Sequence, residues 1–106
     1  MNDLERSKNF MKVNLNDLEK IISLLIEKLR ESKGNYIEID NDYYWDIPNE
    51  DIYKPYKEPE IFTLGQLSDD LIEIERIIEG KDAVVYDLKR ISCVLKALSI
   101  ENPIAF

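Results

Sequence analysis

Carboxylates are the only abundant reactive side chains in this 106-residue chain: 22 Asp and Glu stand against 14 Lys and Arg, with no histidine. The lack of histidine removes Ser-His-Asp and Cys-His nucleophile systems, His-ligated zinc and the commonest general base. The single cysteine, Cys93, can form neither a thiolate zinc cluster nor an internal disulfide. Three scattered glycines build no Walker loop and no dinucleotide fingerprint. Two kinds of carboxylate chemistry are then left. A pair of acids can cleave a glycoside, but among so many acids close pairs arise by chance, and nothing singles one out. The run Asp40, Asp42, Asp46 has the opening spacing of a calcium loop. Trp45, however, stands where that loop needs glycine, and Asp51 where it needs glutamate. The sequence therefore predicts a protein that is not an enzyme, with no catalytic residue, no metal and no cofactor.

What the carboxylates do instead is indicated by the residues around them. Tyr36 to Phe62 carries seven of the ten aromatics, three of the four prolines and the only tryptophan. Its eight acids face only Lys54 and Lys57, so most of the chain's net charge of −8 lies in about a quarter of its length. Tyrosine and tryptophan supply contact area with few rotors to freeze, and they dominate the energetics of protein interfaces. Acids among them speed the encounter with a cationic partner and select against others. Asp40, Asp42, Tyr43, Tyr44, Asp46, Glu50, Asp51, Tyr53 and Tyr56 are the candidate partner-binding residues. Asp69 and Asp70 either extend that patch or serve as helix-start charges. Trp45 and Ile47, with some of the tyrosines, are expected to fold back onto the scaffold as core.

The flanking sequence supplies the scaffold. Leu15, Leu18, Ile21, Ile22, Leu25, Ile26 and Leu29 recur at helical spacing and predict a helix over 15–32. Asn14 is its N-cap, Asp17 stands at the capping-box position, and Gly34 ends it. Thr63-Leu64-Gly65-Gln66 reads as a capping box for a second helix over 64–79, with Gly80 at its end. Asp82 caps a third over 83–100, which Pro103 terminates. Cys93 lies on that helix beside Ile91 and Val94 and is expected to be a buried, inert thiol. Residues 1–12 read as a frayed tail or a short helix. Between the first two helices, Tyr36-Ile37-Glu38-Ile39 alternates in the manner of a short strand, and Pro48, Pro55 and Pro59 block any long helix. The fold expected is mainly α: one domain over 1–106, an antiparallel bundle of three helices, or four if the opening residues add one. A long ordered aromatic and acidic connection, with a short β element near 36–39, joins the first helix to the second.

The bulk numbers agree with that picture. An apolar content of 44% suits a globular domain. Strong acidity disfavours nucleic acid and anionic membrane as partners. The opening residues show no apolar core of a signal peptide, no run approaches membrane-spanning length, and a lone cysteine suits a reducing compartment. A cytoplasmic location is expected.

Asp42-Tyr43-Tyr44-Trp45-Asp46-Ile47-Pro48, then Glu58-Pro59, then Thr63-Leu64-Gly65-Gln66-Leu67-Ser68-Asp69-Asp70-Leu71 resembles a pattern of small bacterial immunity-type proteins of polymorphic toxin and contact-dependent growth inhibition systems. The resemblance covers Tyr36 to Gly80 and extends loosely into the third helix. It implies a cytosolic, non-enzymatic protein that binds a cognate toxin domain and blocks it. It also implies that the shared residues Trp45, Ile47, Pro48, Thr63, Gly65 and Gln66 serve the fold. Two other readings fit the same residues. One is an acidic interaction module or homo-oligomeric assembly subunit, with the aromatic segment against a symmetry mate. The other is a DNA-mimicking inhibitor of a nucleic-acid enzyme, which needs regularly spaced exposed carboxylates.

Overall fold

The computed structural model describes residues 10–101. It is mainly helical, with one small antiparallel sheet, in the order α1 (Leu15–Lys33), β1 (Tyr43–Asp46), α2 (Asn49–Ile52), β2 (Thr63–Gln66), α3 (Leu67–Ile78) and α4 (Tyr86–Glu101). The expectations for residues 1–9 and for Pro103 lie outside the described residues. The chain divides into two compact units, with the boundary after Tyr36.

The first unit is α1. Its start is set locally: the Asn14 side chain accepts the Asp17 backbone N–H at 3.0 Å, satisfying one of the donors that every helix start leaves open. At its end the Gly34 N–H reaches the Arg30 carbonyl. Arg30 and Lys33 in the last turn and Asp17 in the first complement the helix dipole.

The second unit is built on the β1–β2 pair and on α3 packed against α4. The register sets Tyr43 opposite Gln66, Tyr44 opposite Gly65, Trp45 opposite Leu64 and Asp46 opposite Thr63. Side chains alternate across a strand, so Tyr44 and Asp46 turn inward while Tyr43 and Trp45 turn outward. The apolar centre is small. Among the described residues, only Leu67 and Val94 are buried apolar side chains.

The structure corrects four local expectations. Residues 36–39 form no strand, because a strand needs a ladder partner; the partner available, Thr63–Gln66, pairs with residues 43–46 instead. Thr63–Gln66 is consequently not a capping box, and the second helix begins at Leu67. Asp82 caps nothing. Asp87 instead folds its carboxylate back onto the Val84 N–H at 2.8 Å, and the third long helix begins at Tyr86, past the β-branched Val84-Val85. Trp45 is not a core plug: it is 68% exposed.

The connection between α3 and α4 is fixed twice. Gly80, at φ 108°, closes α3 in a Schellman turn: its N–H meets the Ile77 carbonyl, and the Lys81 N–H meets that of Arg76. The Lys81 ammonium then binds Glu73 of α3 at 2.9 Å, and Arg90 of α4 binds Asp87 at 2.7 Å. The Val84 N–H and the Arg90 guanidinium hold the Asp87 carboxyl below its usual range, and Lys81 does the same for Glu73.

Candidate functional site

The acidic, aromatic segment separates into groups the fold consumes and groups it presents. Asp42 belongs to the first class. Its carboxylate accepts the Ser68 N–H at 2.8 Å, the Ser68 hydroxyl at 3.0 Å and the Gln66 side-chain amide at 2.7 Å. The Asp42 carbonyl accepts the Leu67 N–H. A residue remote in sequence thus caps α3, where anions are favoured. The Gln66 amide and the Ser68 N–H keep the Asp42 carboxyl below its ordinary range.

Tyr44, Asp46 and Asp70 are also committed inward. Asp70, only 8% exposed, accepts the Tyr44 hydroxyl at 2.7 Å. Lys89 of α4 donates to the Tyr44 oxygen and to Asp46, each at 3.2 Å, and lies over the Tyr44 ring at 5.2 Å from its centre. Burial, together with the neighbouring Cys93 and Asp70, pushes the Tyr44 phenol well above its ordinary range. For Lys89, burial is the largest influence and works against the charge, but Asp46, Cys93 and Tyr86 together outweigh it and the net shift is upward. These contacts tie β1 to α3 and α4 at once. Sequence reasoning set Asp42, Tyr44, Asp46 and Asp70 at a partner surface; the structure uses all four as internal fasteners. Lys89 and Ser68, which complete those contacts, were not singled out by sequence, since each is an ordinary residue for its helix.

The presented groups are Tyr43, Trp45, Tyr53 and Tyr56, all exposed, with Asp40, Glu50 and Asp69 exposed and Asp51 partly so. Trp45 meets Phe62 edge-on at 5.7 Å between ring centres, which holds its ring on the β1 surface without burying it. Ile47 and Pro48 are half-buried, and Pro48 leads directly into the single turn of α2. Of the residues expected to serve the fold, Gly65 and Gln66 do so through β1, and Thr63 closes the sheet by donating its hydroxyl to the Asp46 carbonyl.

An apolar groove of about 670 Å³ runs beside this surface. Tyr44 and Trp45 of β1, Ile52 of α2, and Cys93, Lys96 and Ala97 of α4 contribute to its walls. Cys93 is half-buried on that wall and not sealed in a core. Among the described residues no three acidic or cysteine side chains converge to hold a metal ion. No described helix is long and apolar enough to cross a membrane. The chain matches no family model, and comparison with curated proteins and with solved structures finds no significant similarity.

Proposed function

We propose that this chain is a non-catalytic bacterial immunity protein that binds and neutralises a cognate, basic toxin domain in the cytoplasm, as in contact-dependent growth inhibition and other polymorphic toxin systems. The observation that supports the reading is the outward pair Tyr43 and Trp45, held on a strand that is pinned from behind, with Tyr53 and Tyr56 exposed further along and Asp40, Glu50 and Asp51 among them. Rigid exposed rings with interleaved acids suit recognition of a cationic protein. The scaffold in this reading is an antiparallel helical bundle, since a one-sided helix must cover its apolar stripe.

The contact set differs from the one read from sequence alone. Asp42, Tyr44, Asp46 and Asp70 hold the platform, and Asp40, Tyr43, Trp45, Glu50, Asp51, Tyr53, Tyr56 and Asp69 meet the partner.

The test is made with the toxin domain encoded directly upstream. Co-expression should protect cells from that domain. Asp40→Lys combined with Glu50→Lys and Asp51→Lys should slow association by at least tenfold at low salt and less at high salt. Trp45→Ala should speed dissociation. Failure of the wild-type chain itself to protect removes the reading. Binding that ignores all of these changes relocates the surface.

A further inference from the structure

We propose that the groove between β1, α2 and α4 is a binding site for a small amphiphile with an apolar body and one anionic head, and that Lys96 receives the head. Its volume, about 670 Å³, falls within the range of small-molecule pockets. Its surface is largely apolar, and Trp45, Ile52 and Ala97 are among its walls.

The charges on the walls specify the head. Among the described residues, three charged side chains line the groove: Asp46, Lys89 and Lys96. Asp46 and Lys89 neutralise each other at 3.2 Å. Lys96 is on the exposed side of α4 and forms no ion pair with any described residue. The groove is therefore locally cationic in a chain whose net charge is −8. A free ammonium beside an apolar surface favours an anion joined to an apolar body, because the body removes water from the walls while the head stays paired at the rim. One head fits better than two, since Lys89 is already paired with Asp46 and leaves Lys96 to receive an anion. A cationic amphiphile would meet Lys96 as a like charge. The charge that selects the ligand is separate from the partner surface: it lies on α4, whereas the partner reading uses the exposed acids, and Tyr43 and Trp45 border both.

The experiment titrates the full chain with dodecanoate, below the concentration at which it self-associates, and follows the fluorescence of Trp45, the only tryptophan and a groove wall. A saturable change is expected. Lys96→Gln should weaken dodecanoate on the order of tenfold, the effect of losing one charge-assisted contact. It should leave the weaker binding of dodecanol unchanged. Ala97→Phe, which fills the groove, should abolish both. Circular dichroism confirms that each variant is folded, and the Lys96→Gln arm stands alone if Ala97→Phe does not fold. No saturable change with dodecanoate overturns the proposal, and so does equal binding of acid and alcohol that ignores Lys96. Sedimentation showing a dimer that Lys96→Gln dissociates also overturns it, by assigning the groove to a second copy of the chain.

Discussion

The Tyr44 ring lies over Gly65 across the β1–β2 ladder, so closely that a methyl group on Gly65 would overlap the ring. Glycine inside a strand normally weakens it; here the vacancy at Gly65 is filled by the ring of its cross-strand partner. That fit carries the Tyr44 hydroxyl to Asp70 and to Lys89, so one missing side chain on β2 sets the geometry of the β1–α3–α4 junction.

Gly65→Ala should therefore destabilise the fold by about 1–3 kcal/mol, the usual cost of overpacking. Tyr44→Phe keeps the ring but leaves the buried Asp70 without its donor, and should cost roughly 1–3 kcal/mol as well. The two act through one contact, so the double mutant should lose clearly less than the sum. Urea unfolding of the four proteins checks this. Additive losses would show that the ring and the glycine do not act together.

Asp42 makes a separate prediction about α3. Asp42→Ala removes both the acceptor and the charge at the helix start and should lower Tm by several degrees. Asp42→Asn keeps an acceptor for the Ser68 N–H and should lower Tm less. Hydrogen exchange localises the effect: the amides of Leu67, Ser68 and the turn that follows should lose protection first, while α1 keeps its own. Uniform loss across both units would argue against Asp42 as the cap.

The pH profile should have two edges with opposite causes. Asp42, Glu73 and Asp87 have lowered pKa values in the folded chain. The unfolded chain therefore takes up protons more readily as acid is added. The stability these groups contribute is complete above the ordinary carboxylate range, about pH 4, and is lost as pH falls through their lowered values. Tyr44 is raised, so its contribution is complete below the ordinary phenol value, about pH 10, and is lost as pH climbs beyond it. Urea midpoints should hold through neutrality and fall at both ends. Phenolate absorbance should show one of the six tyrosines ionising only as the chain unfolds. If all six titrate together while the chain stays folded, the Tyr44 environment described above is wrong.

Features with local causes were legible in the sequence. Asn14 and Gly34 bound α1 as their residue types and spacing predict, because a cap acts within a single turn. The start of α3 was not legible, since its cap is Asp42, 26 residues before Ser68. The letters Thr63-x-x-Gln66 match a capping box, but the same stretch is also a usable strand, and the arrival of β1 decides between the two. Trp45 was misplaced for a related reason. Alternation says that Trp45 and Tyr44 face opposite ways, but not which one faces in. That choice rests on Gly65 leaving room for a ring at Tyr44, a pairing visible only once the register is known. Composition located the recognition segment but could not sort its acids, because a carboxylate that caps a helix and one that awaits a partner are the same letter.

The β1–β2 ladder has one more consequence. By clasping the chain at Asp46 and Thr63 it makes residues 47–62 a cassette, closed at its base by strand pairing and by the Thr63 hydroxyl. Doubling the length of such a loop adds only about 0.6 kcal/mol of closure entropy. Insertions at its tip, near Tyr56, should then be tolerated while the ladder keeps its register, so the cassette can be rewritten for new contacts without redesigning the protein that carries it.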